Sequence, residues 1–189
     1  MPVLAPLELL TPRLTLRWMT QADADAYFPI FSDPEVMRYL GRPAWTEHVQ
    51  AVEAIDKILA HYASGEAMRL GIELRETAAL IGDAGLWRID DANRRCELGY
   101  SLARAHWGRG YALEALEALL AHGFDALDLN RVEADIDPRN AGSQRVLEKL
   151  GFRQEGFMPE RWIVDGVTAD TAFYGLLRSY WRAREQSIA

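Results

Sequence analysis

The sequence predicts an α+β fold: a mixed, mostly antiparallel sheet with a central parallel strand-helix-strand crossover and flanking helices. Three observations carry that reading. The strand-like runs Met68 to Leu74, Leu80 to Ile89 and Arg95 to Leu102 are joined by polar links of a few residues, which demand antiparallel neighbours. After Leu102 the order changes to helix, strand, helix, strand, the pattern of a crossover. A chain of 189 residues, 49% hydrophobic and 26% charged, suits one domain with a real core over residues 1–189 rather than two domains or a disordered chain.

Each element has its own local reason. Leu14, Leu16 and Trp18 alternate with Arg13, Thr15 and Arg17, a half-buried first strand. Thr20 and Asp23 have capping-box spacing and Asp33-Pro34 repeats the start signal, so two short helical pieces lie between Gln21 and Leu40. Between Thr46 and Ser64, Val49, Val52, Ile55, Leu59 and Tyr62 recur at helical spacing, and Gly65 ends the helix. Beyond the three strands come a helix from about Gly110 to His122, a strand from Arg131 to Asp137, and a helix from Asn140 to Lys149 that Gly151 stops. A strand begins at Phe152. Asp165-Gly166 supports the positive φ angles of a two-residue hairpin turn, and Thr171 to Leu177 completes that hairpin. No repeat, low-complexity tract or linker interrupts the chain.

Charge and cysteine content narrow the function. Lys and Arg number 21 against 28 Asp and Glu, a formal charge of −7, which argues against a protein that coats nucleic acid. The single cysteine, Cys96, allows no intramolecular disulfide, and Met1 to Arg17 lacks the basic start and apolar run of a signal peptide. A cytoplasmic protein is the expectation. No apolar stretch is long enough to span a membrane. His48, His61, His106 and His122 form no pair at metal-ligand spacing, so no metal is expected. Trp162 and Trp181 read as core or hairpin aromatics, since no basic stripe accompanies them.

The chemistry is concentrated where the strand Cys96 to Leu102 runs into Trp107-Gly108-Arg109-Gly110-Tyr111-Ala112 and on into a helix. Two glycines let successive backbone N–H groups turn toward one point, and a helix N-terminus adds unpaired donors and partial positive charge. An anion such as a diphosphate suits that place. Alternatively, the glycines merely make the turn. No Lys follows them, which excludes a P-loop, and Leu113 stands where a dinucleotide fingerprint needs a small residue.

Residues 107–112, continued by Leu113-Glu114-Ala115, resemble the acyl-CoA pyrophosphate loop of the GNAT superfamily of N-acetyltransferases. Thr11-Pro12-Arg13-Leu14-Thr15-Leu16-Arg17 looks like the first strand of its Rim-type branch, the ribosomal-protein N-terminal acetyltransferases. Glu97-Leu98-Gly99-Tyr100 looks like the fourth strand of that branch. Asn130 to Ala134, Asn140 with Ser143, Leu147 to Phe152 and Glu155-Gly156 follow in order, so the resemblance covers nearly the whole chain. It implies a GNAT-like domain that binds acetyl-CoA through Leu102, Trp107, Gly108, Arg109, Gly110, Tyr111, Ala112, Asn140 and Ser143. Two departures stand out. Trp107 replaces a common Gln or Arg, leaving the phosphates to backbone amides and Arg109. Leu147 replaces the Tyr that many members use to protonate the leaving thiolate.

Transfer to an amine needs a neutral nitrogen, a polarised thioester carbonyl and an exit for the thiolate. Glu97, on the strand before the loop, is the candidate base, or else a carboxylate paired with a neighbour such as Arg95. Asp135 and Asp137 are reserves. Ser143 is the candidate proton donor to the thiolate, although a thiol of pKa near 8.5 leaves tolerably without one. Asn140 is a helix cap or a ligand of the pantetheine arm. The resemblance implies a protein or peptide N-terminal α-amine as acceptor, including ribosomal proteins, chosen by Phe28 to Trp45 and Phe157 to Asp170. A small amine (antibiotic, polyamine or amino acid derivative) and a non-catalytic CoA-binding module are the alternatives. Homodimerisation fits the branch.

Overall fold

A computed structural model describes residues 6–188. Met1 to Ala5, on which the signal-peptide reading partly rests, and Ala189 lie outside the described residues. One sheet of eight strands organises the chain in the order β1-β2-β3-β4-β5-β6-β8-β7. Its strands are β1 (Glu8–Leu10), β2 (Leu14–Trp18), β3 (Ala67–Leu74), β4 (Ala79–Asp90), β5 (Arg95–Leu102), β6 (Arg131–Ile136), β7 (Arg153–Val164) and β8 (Val167–Leu177). All neighbours are antiparallel except β5 and β6. The helices are α1 (Ala24–Phe31), α2 (Pro34–Met37), α3 (Val49–Ser64), α4 (Tyr111–Asp125), α5 (Ala141–Leu150) and α6 (Arg178–Ile188). The α+β class and the parallel crossover are as the sequence predicts.

Two cores flank the sheet. On one face Leu116, Leu119, Leu120 and Phe124 of α4 and Leu147 and Leu150 of α5 pack on Leu70, Leu86, Leu98 and Val132. Tyr27, Ile30 and Phe31 of α1 pack with Ile55, Ile58 and Tyr62 of α3 and with Trp45 on the other. Burying each such side chain contributes roughly 1.5–3 kcal/mol, so these faces hold the sheet. Cys96 is fully buried, and burial pushes its thiol pKa up to about 12, so it is an inert core residue.

The local signals mark the boundaries. The Asp23 carboxylate accepts the Thr20 N–H at 2.7 Å, and the helix it caps starts as a 3₁₀ turn. Gly65 and Gly151 close α3 and α5 in the left-handed conformation, and Asp165 and Gly166 both take positive φ in the hairpin turn. Three expectations need correction. β1 precedes the expected first strand, β8 begins at Val167 rather than Thr171, and α6 follows β8 without a break. Among the described residues no helix is long and apolar enough to cross a membrane.

Candidate active site

Strands β5 and β6 pair only at Arg95–Arg131, Cys96–Val132 and Glu97–Glu133. Beyond Glu97 they part, although both continue, so the sheet opens between two of its central strands. The gap is a cavity of about 600 Å³ lined by Leu98, Gly99, Tyr100 and Ser101 on one side and Ala134, Asp135, Ile136 and Asp137 on the other. Pleating sends Leu98 and Tyr100 to the α4/α5 face and Gly99 and Ser101 to the α1/α3 face. A molecule in the gap therefore reaches both faces of the sheet. A second cavity of about 570 Å³ lies along Ala54, Lys57, Ile58 and His61 of α3 and shares Arg42, Arg69 and Trp87 with the first.

On the α4/α5 face the Tyr100 hydroxyl donates to Ser143 Oγ at 3.0 Å. Burial pushes the Tyr100 pKa up, against the opposing effect of that hydrogen bond, so the phenol keeps its proton. Asn140 Oδ1 accepts the Ser143 N–H at 3.0 Å, which makes Asn140 the N-cap of α5 while it also lines the cavity. Leu147, one turn beyond Ser143, lines the same wall and has no proton to give.

The glycine turn sits at the end of β5. Gly108 and Gly110 take φ of 72° and 81°, a backbone that L side chains rarely adopt, and Gly110 has no side chain with which to cap α4. The first amides of α4 thus lack a capping acceptor from their own helix start, as an anion site requires. Leu102 is buried, and its carbonyl accepts the Trp107 indole N–H at 2.8 Å, which occupies that side chain's donor. Tyr111 and Ala112 pack against the core, whereas Arg109 is exposed.

Arg13 fixes this loop, a role that the sequence did not disclose. Its Nη1 donates to the Arg109 carbonyl at 2.9 Å and its Nε to Glu114 Oε2 at 2.6 Å. Glu114 Oε1 also accepts the Thr11 hydroxyl and the Arg13 N–H, at 2.6 and 2.8 Å. Burial works to raise the Glu114 pKa, but the hydrogen bonds from Thr11 and Arg13 outweigh it and hold the carboxyl below its ordinary range. These partners are about a hundred residues apart, beyond any local pattern.

The α1/α3 face of the gap is polar and ion-paired. Asp83, 1% exposed, accepts from Arg69 at 2.7 Å and from the Ser101 hydroxyl. Trp87 turns the edge of its ring toward Gly99, where an added Cβ would stand 2.0 Å from the ring. Glu97 does not line the cavity. Its carboxylate accepts the Trp87 indole N–H at 3.0 Å and the Arg88 guanidinium at 2.8 Å, so it holds a wall of the cleft in place. Asp135 is paired with Arg161 at 2.8 Å. Asp137 is paired with Arg139, whose hydrogen bonds hold its pKa below the ordinary carboxylate value despite partial burial. Among the described residues no group of three or more His, Cys, Asp or Glu side chains could hold a metal ion.

Comparison with known proteins agrees with this architecture. The acetyltransferase (GNAT) domain family matches residues 13–153. An uncharacterised N-acetyltransferase of Bacillus licheniformis is 40% identical over 90% of this chain and 96% of its own length. The ribosomal protein uS5-alanine N-acetyltransferase of Escherichia coli is 27% identical over 64% of this chain and 62% of its own. Spermidine N-acetyltransferase from Vibrio cholerae, solved with CoA and spermine, shares the fold with a TM-score of 0.81 at 23% identity, covering 91% of this chain and 99% of that one. The second is named for an alanine of a ribosomal protein and the third for spermidine, so these relatives do not single out the Rim-type branch. The parted strands, the glycine turn at the helix start and the match along most of the chain together place this protein in the GNAT family of acetyltransferases.

Proposed function

We propose that this enzyme transfers the acetyl group of acetyl-CoA to the α-amine of a peptide or protein N-terminus, ribosomal proteins among the candidates, as in the Rim-type branch. The observation that carries the acceptor reading is the pairing of four acidic side chains around the gap with arginines, Asp83 with Arg69, Asp135 with Arg161, Asp137 with Arg139 and Glu97 with Arg88, while Asp170 accepts the Glu160 N–H. Carboxylates whose oxygens are occupied by arginines offer little to a polyamine's several positive charges. An α-amine of pKa near 8 is roughly a tenth neutral at pH 7, whereas a lysine amine is neutral in about one molecule in 2,500. Such a site suits the former, with water taking the proton.

In this reading the amides of residues 108–112, with Arg109, hold the diphosphate. The pantetheine arm runs past Asn140 to the gap. Acetyl-CoA supplies the activated acyl carbon there. The N–H groups of β5 beyond Glu97 that face away from β4 lack a β6 partner and are the donors for negative charge developing on the carbonyl oxygen. The amine nitrogen bonds to that carbon, the carbon–sulfur bond breaks, and Ser143 gives the thiolate a proton that solvent restores. Glu97 is a positioning residue here, acting through Trp87.

The test is free-thiol release from acetyl-CoA with a panel of free peptides, α-blocked lysine peptides, polyamines and aminoglycosides. Release with free peptides alone is expected. Turnover of polyamines or aminoglycosides alone would move the acceptor to small amines. A melting shift with CoA but no turnover of any amine would mean a binding module.

A further inference from the structure

Arg42, in the loop between α2 and α3, differs from every other arginine in the cleft. It lines both cavities, as does Arg69, and Arg38, Arg88 and Arg139 each line one. Each of those four has a carboxylate partner: Glu35 for Arg38, Asp83 for Arg69, Glu97 for Arg88 and Asp137 for Arg139. Arg42 has none among the described residues. Instead its guanidinium stands 5.1 Å from the centre of the Phe31 ring and 5.8 Å from that of Trp45, two buried rings that pack on each other at 4.7 Å.

These ring contacts engage none of the guanidinium N–H groups in a hydrogen bond or ion pair among the described residues, which leaves them for a planar, bidentate partner. Arg42 is solvent-exposed, and the adjacent Arg69 cation acts against its charge while Tyr27 and Asp83 favour it, so compensation from the protein is partial. The Asp83 carboxylate cannot supply that compensation fully, since it already accepts from Arg69 and Ser101. The chain as a whole carries −7, so an anion would be drawn to this place by the local site and not by the general field.

Resting on the acetyltransferase reading above, we propose that Arg42 binds a carboxylate on the acceptor, the side chain of an acidic residue close behind the reacting amine. Phe31 and Trp45 hold the guanidinium in place before the acceptor arrives, which reduces the ordering cost of binding. The acceptor preferred by this enzyme is therefore an acidic N-terminus.

The experiment compares kcat/KM for acetylation of peptides that differ only as Glu or Gln at the second and third residues. It uses the wild type, Arg42→Gln and Arg42→Glu, all checked for unchanged melting. The wild type should prefer Glu at one of these positions by at least about tenfold, within the range of a charge-assisted hydrogen bond. Arg42→Gln should bring the ratio close to one, and Arg42→Glu should favour a Lys peptide instead. An amine carrying a carboxylate and its amide analogue form a parallel pair. Equal wild-type rates within the turned-over pair, or a preference that survives both substitutions, would overturn the Arg42 assignment. Turnover of the small amines with no peptide acetylated would overturn the peptide reading, and the carboxylate/amide ratio would then decide the role of Arg42.

Discussion

Tyr100 and Ser143, 43 residues apart in the chain, meet through a hydrogen bond of 3.0 Å in which the phenol donates and the serine oxygen accepts. The serine's own proton is thereby left to point elsewhere, and the cavity is the open direction. Burial keeps the phenol protonated, so Tyr100 orients Ser143 and does not replace it as the acid. Tyr100→Phe should lower kcat about fivefold, the value of a hydrogen bond worth about 1 kcal/mol, with little change in KM for acetyl-CoA. Ser143→Ala should cost more, and the double variant no more than Ser143→Ala alone. Losses that multiply in the double variant would mean that the residues act independently.

Gly110→Asp adds bulk and negative charge where the amides of α4 open. A Cβ there would lie 3.4 Å from Arg13 Nη2, a contact that a flexible side chain can relieve, and positive φ costs Asp less than most residues. Folding should survive with a loss of about 1–2 kcal/mol. Acetyl-CoA affinity should fall at least about tenfold by calorimetric titration, because like charge replaces a donor surface. Unchanged affinity in the folded variant would place the diphosphate elsewhere.

Glu97→Gln keeps an acceptor for the Trp87 indole but removes the ion pair with Arg88. As a positioning residue, Glu97 should show the same modest loss of kcat/KM at pH 6.5 and pH 9. A base would behave otherwise, since raising the pH past an α-amine pKa near 8 deprotonates the acceptor without help and restores the rate. Recovery at pH 9 would return Glu97 to the proton transfer.

Glu114→Gln should loosen the clamp that Thr11 and Arg13 form on the loop. At pH 7 the loss is roughly 1–2 kcal/mol, carried by hydrogen bonds to a charged acceptor, because the Arg13 ion pair is partly exposed and weak. The folded-state pKa of Glu114 lies below its unfolded value, so its contribution is complete above the unfolded pKa of about 4.3 and fades as pH falls through the folded one. Urea denaturation should therefore show a gap between wild type and variant at pH 7 that narrows below about pH 4. A gap that does not change with pH would mean that charge plays no part.

What the sequence disclosed was local. Periodic runs, caps and the Asp165-Gly166 turn marked most elements, and the two glycines before α4 marked the loop. β1 escaped because three residues with Leu10 exposed carry no alternation. α6 escaped because it follows β8 without a glycine or proline and is rich in arginine, with Trp181 as its buried anchor. The cleft itself was illegible, since it arises where β5 and β6 stop pairing. Asp83 meets Arg69 and Ser101 only through the registers of β3, β4 and β5, and the edge of Trp87 needs a glycine at position 99 for the same reason. Glu97 is placed by that register too, facing Trp87 and Arg88 rather than the gap.

The most direct measurement of the central claim uses one peptide with a free α-amine and an internal lysine, incubated with the enzyme and acetyl-CoA and sequenced by tandem mass spectrometry. An acceptor site most of whose carboxylates are tied up by arginines should acetylate the nitrogen that is already partly neutral at pH 7. The account predicts a single acetyl group on the α-nitrogen and none on the lysine. Acetylation of the lysine, or no peptide product while a polyamine is turned over, would contradict it.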